Sequence, residues 1–427
     1  MKKKVILTGV LFVLGVFIAF PHSAISQLKP GDPIILGAPA ALGSRESAEG
    51  LKAVTMAVEE INAKGGVSIK GVQHPLKVES QDTRDMLPGV PVAEALLGVE
   101  KIILEKKAHA IVISPQRSEA FVASMDLVAK YKVPMLSAIA MTPVVEKKIS
   151  EDYGKYKYAF RVCINSGHFA GSLTGTAGFL NKRFGFKKVY LMVQDVLWAR
   201  GAITVVEDWF KKEGWEILGK DFFPTGASDF SVNLMKAKST GAQLIIPIFD
   251  MPEAGILVKQ KNAMRVPAVM AGNIVPLAHP EAWKTFEGQI EGYLGAIFEV
   301  GNMPVKAIPK TVEFHEAFTK RWGKEISSQH GVPPSYDSVY ILAKAIERAG
   351  SVDPDALVTE LEKTDWMGVI GRIRFDKNHQ VVYGLDPKET AMTCMFQWQK
   401  PGKRMVVYPE PIAEAGLQLP PGLKPGK

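Results

Sequence analysis

At 427 residues the chain is too long for one compact core, and two domains of ordinary size are expected. Hydrophobic residues make up 47% and charged residues 22%, as in a soluble globular protein, and a net charge of +8 over this length is too diffuse for a nucleic-acid footprint. Cys163 and Cys394 are the only cysteines, so the fold cannot depend on a disulfide framework; one bond or two buried thiols are both open.

The chain starts with Lys2, Lys3 and Lys4, an apolar run over 5–20, and Ala24-Ile25-Ser26. This is the pattern of an export signal over 1–26, and the run is shorter than the roughly 20 residues of a membrane span. An uncleaved anchor helix is the alternative reading. Without the signal's three lysines the remaining chain carries +5. No later segment is long and apolar enough to cross a bilayer, so an exported, periplasmic protein is expected.

Residues 33–38 read as a buried strand, 40–47 as a polar loop with Ser44, Arg45, Glu46 and Ser47, and 50–64 as a helix. Leu51, Val54, Val58 and Ile61 give that helix one apolar face, and Gly65-Gly66 ends it. A strand, a loop and an amphipathic helix form the first unit of a parallel sheet. The unit recurs: strands at 76–79, 110–114 and 133–137, helices at 91–106 and from after 118 to about 130, and loops at 114–118 and 137–142. In open parallel sheets ligands bind beyond the carboxyl ends of the strands, so these loops should share one edge.

A strand at 158–162 leads to a second set. Helices at 171–184 and 202–213, strands at 188–193, 244–248 and 267–271, and an Asp229-Phe230-Ser231 cap belong to it. Its strand-end loops carry Trp198 and Arg200, Asp250, and Asn273. Further helices are expected at 312–322 and 335–349, a glycine-broken strand at 368–375, and a last strand at 391–399. The proline- and glycine-rich tail from 409 reads as irregular.

Several stretches together resemble a known family: Glu60-Ile61-Asn62-Ala63-Lys64-Gly65-Gly66, the Asp82 region, 111–118, 136–143, Phe160-Arg161-Val162, Asp229-Phe230-Ser231, Tyr336-Asp337-Ser338 and 371–376. In this order the chain is similar to extracytoplasmic solute-binding proteins of the leucine/isoleucine/valine-binding type, the ligand-capturing components of ABC importers. The resemblance implies an α/β type I periplasmic-binding fold, with two doubly wound parallel-sheet lobes joined by a three-segment hinge. The expected division is 27–162 plus 297–375 for one lobe, 163–296 plus 376–408 for the other, and 409–427 for the tail.

In amino-acid-binding members a serine and a threonine hold the ligand carboxylate; these positions match Ser114 and Met141, with Thr142 as a substitute after a one-residue shift. The covering aromatic residue matches Trp198. The acid that pairs with the ligand ammonium matches Asn273, and Asp250 on the neighbouring strand end is placed to supply the missing charge. Gln116, Arg117, Ser137, Ile139, Arg45 and Glu46 complete the candidate ligand contacts. The resemblance also implies hinge closure over a small solute, delivery to an ABC permease by a monomer, and no cofactor or metal.

Plainer roles compete with each of these. Arg45, Arg117 and Arg200 are suited to an anion through bidentate hydrogen bonds, or are rim residues paired with local acids. Ser114 is also a helix cap, Trp198 a packing residue at a loop base, Asp250 and Asn273 turn caps, and Glu46 a solvated acid. The loss of an acid at Asn273 with arginines nearby tilts the reading toward a carboxylate or amide without an α-ammonium. A sensor subunit on the same fold is a second reading. An exported enzyme is a third and weaker one, because no metal-ligand spacing, GxSxG elbow or phosphate loop follows a strand.

Overall fold

The computed structural model describes residues 28–420 and 423–425. The expected signal segment at 1–26 lies outside the described residues.

Five parallel strands form the first sheet, in the order Leu76–Asp82, Ile34–Ala40, Ala110–Ile111, Met135–Ser137, Ala159–Arg161. The helix Arg45–Ala63 follows the opening strand, and Ser44 caps it by accepting the Ser47 N–H at 3.2 Å. At its far end the Asn62 side chain exchanges two hydrogen bonds with the Leu76 backbone, at 2.8 and 2.9 Å. Gly66 has φ +87°, and a Cβ there would lie 2.3 Å from the His74 carbonyl oxygen, so only glycine fits. This is what the Asn62-to-Gly66 stretch does: it fastens the first helix to the next strand.

The second sheet has seven strands in the order Lys403–Tyr408, Cys394–Gln399, Leu294–Ile297, Val269–Ile274, Leu244–Phe249, Lys188–Gln194, Glu216–Phe223. Leu294–Ile297 and the four strands after it in this order run parallel to one another, and the last two in the chain fold back antiparallel along one edge. The central strands are buried at every position, as expected when helices cover both faces. Two strands depart from the expectation. Glu216–Phe223 is an edge strand whose Lys220 and Asp221 break the apolar pattern, and its Gly219 accommodates the Tyr190 ring. Lys403–Tyr408 pairs back on Cys394–Gln399, and the following tail is partly ordered, with a 3-10 turn at Glu410–Ile412 and Leu417 buried.

The chain passes between the sheets at 162–165, after 297, and at Thr393. The third crossing comes later than a change of lobe after 375 would place it. Pairing of Gly371 with Ala391 and of Tyr383 with Ala391 keeps that segment in a small sheet with Trp366–Gly368 and Gly371–Ile373. The strand expected at 391–399 is therefore interrupted, and Thr393 Oγ1 donates to the Ile297 carbonyl at 2.7 Å at the break. Cys163 and Cys394 are both buried free thiols.

Candidate functional site

The strand-end loops of the first lobe are tied to one another by their own side chains. Gln116 Oε1 accepts from Ser47 Oγ at 2.8 Å and from Ser44 Oγ, joining loops 40–47 and 114–118. Ser114 Oγ donates to Ser137 Oγ at 3.0 Å, and Ser137 Oγ accepts from Ala140 N at 3.3 Å. Ser114, Ser137 and Ile139 are buried. Thr142 is buried too: its Oγ1 accepts from Val144 N at 3.3 Å, and its carbonyl accepts from Arg161 Nη1 at 2.6 Å.

In the second lobe Trp198 sits in the first turn of helix Leu197–Lys212 and is 8% exposed. Its Nε1–H donates to Asp250 Oδ2 at 2.7 Å, and the Asp250 N–H donates to Gln194 Oε1 at 2.9 Å. Burial pushes the Asp250 carboxyl up, and the Trp198 and Gln194 hydrogen bonds only partly offset it; the negative charge of Glu46, from the first lobe, pushes the same way as burial. Asn273 is buried, with Nδ2 donating to the Phe249 carbonyl at 2.9 Å and Oδ1 accepting from Gln329 Nε2.

The lobes meet on both flanks of this cluster. Arg45 Nη1 lies 2.9 Å from Glu281 Oε1, an exposed ion pair across the gap. On the other flank Ser166 Oγ lies 2.9 Å from the carbonyls of both Met141 and Trp198. Between the two sets of residues stand Gln329, bonded to Asn273, and His330, whose Nε2 is 2.6 Å from the Ile139 carbonyl. Phe298 packs edge-on to His330 at 4.8 Å and lies 6.3 Å from Trp198, so first-lobe loop, hinge and second-lobe aromatic side chains form one continuous wall. An open cavity of about 310 Å³ framed by Phe314, Tyr336, Tyr340 and Trp366 has no lining residue in common with this cluster.

The three arginines are engaged elsewhere. Arg45 pairs with Glu281; Arg200 pairs with Asp195 and lies over the Phe222 ring at 4.4 Å; Arg117 reaches the Val90 carbonyl at 3.5 Å and Glu119 at 3.9 Å. Sequence reading missed Glu299 and His330, which join the crossovers behind the cleft. The only signal was an acid standing in the apolar run Ile297-Phe298-Glu299-Val300.

The periplasmic binding protein family model matches residues 39–393. The chain belongs to that family. This periplasmic binding protein is 25% identical over 417 residues to Leu/Ile/Val-binding protein homolog 7 of Brucella suis, covering 94% of this chain and 96% of the relative. It is 24% identical over 357 residues to the leucine-, isoleucine-, valine-, threonine- and alanine-binding protein of Pseudomonas aeruginosa, covering 82% and 85%. Among solved structures it resembles the leucine-binding protein LivK of Thermotoga maritima, with TM-score 0.70, 22% identity and coverage of 88% and 97%. It also resembles the branched-chain amino acid transporter substrate-binding protein LivJ of Streptococcus pneumoniae in complex with isoleucine, with TM-score 0.68, 21% identity and coverage of 89% and 100%. The fold is thus the type I periplasmic-binding fold, and the family and these neighbours are binding proteins rather than enzymes. Among the described residues no helix is long and apolar enough to cross a membrane.

Proposed function

We propose that this periplasmic binding protein captures a small aliphatic amino acid between its lobes and, as a monomer, delivers it to the membrane subunits of an ABC importer. The observation that carries this reading is the charge balance of the cleft. The negative charge of Glu46, in the first lobe, acts on Asp250 in the second, whereas Arg45, Arg117 and Arg200 are bound to other partners. Two carboxylates brought together by closure favour a ligand with an ammonium group, because an uncompensated charge in a closed site costs several kcal/mol. This runs against the tilt toward a ligand without an ammonium, which rested on the loss of an acid at Asn273 and on nearby arginines whose partners only the fold reveals.

Closure would be driven by the solute, since only the closed form lets Trp198 and Asp250 act together with the Ser114–Ser137 loops. A matched pair of ligands tests the reading. L-Leucine and its 2-oxo analogue share a carbon skeleton and a carboxylate but differ in the ammonium. Leucine at about 100 times its Kd should stabilise the chain by about 2.7 kcal/mol, seen as a rise in Tm, and the oxo acid should not. Equal stabilisation by the oxo acid would overturn the assignment.

A further inference from the structure

The open cavity of about 310 Å³ lies in the first lobe, where Met56 of helix Arg45–Ala63 forms part of its wall. The rest of the wall is largely aromatic. Helix Pro309–Trp322 supplies Phe314, helix Val332–Ala349 supplies Tyr336 and Tyr340, and strand Trp366–Gly368 supplies Trp366. Phe314 packs on Tyr336 with 4.9 Å between ring centres, Tyr336 on Tyr340 with 5.0 Å, and Tyr340 stacks on Trp366 at 5.8 Å and 13°. Glu60 fixes both tyrosines by accepting from their hydroxyls. Asp337, which is buried, and Glu313 bring two carboxyl groups to the same cavity. Lys310 is the one cation among its described lining residues: its Nζ lies 5.5 Å from the centre of the Trp366 ring and donates to the Met367 carbonyl.

We propose that this cavity is a second binding site, one that takes a small organic cation of the quaternary-ammonium class, held by the faces of the aromatic row and by the Asp337 carboxylate. Aromatic faces carry the negative end of the ring quadrupole and attract a cation within about 6 Å. The Lys310 ammonium already occupies such a position, as a tethered stand-in for the ligand. Its side chain is exposed, so it can return to water at little cost when a ligand arrives. Charge favours the same class, because two carboxyl groups face one ammonium. Burial pushes the Asp337 carboxyl up to about 7, and the Lys310 charge is among the groups that pull it back, so a second positive charge beside the rings stabilises the carboxylate further. A neutral apolar guest would cover that carboxylate without compensating it, and an anion would oppose it. Trp366 Nε1 is buried with no hydrogen-bond partner, though close enough to Asp337 to help hold its charge, and so leaves a donor on the wall for an oxygen of the ligand. The volume is at the lower end of small-molecule sites.

The cavity shares no lining residue with the cleft cluster, so the site survives or fails separately from the amino-acid reading. The test is a matched pair of probes, choline and 3,3-dimethyl-1-butanol, titrated into the full chain by calorimetry at pH 8. The two share a shape and a hydroxyl and differ in the charge. Choline should bind on the order of tenfold more tightly than the alcohol, the size of a desolvated cation–π contact. Trp366→Ala should abolish that preference. Lys310→Met, a change at an exposed side chain, should tighten choline binding several-fold by removing the tethered competitor. Equal affinity for the two probes, or no measurable binding of choline, would overturn the proposal. So would choline binding that either variant leaves unchanged, since the cation would then sit elsewhere. If Trp366→Ala does not fold, the probe pair and Lys310→Met decide.

Discussion

Asp250→Asn isolates the charge that distinguishes an ammonium-binding cleft from a neutral one. Asparagine has nearly the same shape as aspartate and keeps an oxygen for the Trp198 Nε1–H, which donates to Asp250 at 2.7 Å. Packing should therefore survive, and two effects of opposite sign separate. In the free chain the variant loses a carboxylate that burial and Glu46 both disfavour. The Asp250 pKa is raised, so the native state holds this proton more tightly than the unfolded chain does. Its contribution to wild-type stability is then greatest below pH 3.8 and declines as pH rises through the raised value, a slope that asparagine lacks. Ligand-free Asp250→Asn should thus be at least as stable as wild type at pH 7. Binding should change in the other direction. Truncating one member of a buried, hydrogen-bonded charge pair costs about 2–5 kcal/mol, so leucine affinity should fall by at least roughly 30-fold. Calorimetric titration at pH 7, with thermal melts of the ligand-free chains alongside, measures both effects. An Asp250→Asn chain that binds leucine within about threefold of wild type would refute the reasoning.

Two further outcomes follow from other parts of the fold. Asp337 is 1% exposed, and burial pushes its carboxyl up to about 7 even though it accepts the Val369 and Ile370 N–H groups. Stability should decline as pH rises from 3.8 through about 7, and Asp337→Asn should flatten that decline between urea unfolding at pH 5 and at pH 8, by at most about 3 kcal/mol. Arg45→Ala removes an exposed ion pair between the lobes and should cost under about 1 kcal/mol of stability. Its main effect should be a larger radius of gyration in scattering from the ligand-free chain.

What was legible in the sequence was local. Strands such as Leu244–Phe249 announce themselves as unbroken apolar runs, and the Gly65-Gly66 stop after an amphipathic helix needs no partner to be recognised. The strand-end positions of Ser114, Ser137, Asp250 and Asn273 followed from that, whereas Trp198, expected in a loop, opens the helix Leu197–Lys212. What was hidden depended on separation along the chain. The partner of Arg45 was hidden because Glu281 stands 236 residues away, and Glu299 went unnoticed because only the fold sets His330, 31 residues on, against it. Glu216–Phe223 escaped because an edge strand with one open face tolerates Lys220 and Asp221, which erase the pattern.

These long-range pairs also bear on how binding and closure are linked. The Ile139 carbonyl, in the first-lobe loop 137–142, holds His330, and Asn273, at the end of a second-lobe strand, holds Gln329 through its amide. Residues 329 and 330 adjoin each other, and Phe298 N donates to the Gln329 carbonyl at 2.9 Å, so the second lobe's Asn273 holds a first-lobe stretch that lies beside the second crossover. On the closure proposed above, a solute held between the loops would also engage that stretch, and the shared hydrogen bonds would make closure a single transition rather than two lobes drifting together independently. Substitutions at 329 or 330 should accordingly alter affinity for the solute without touching it.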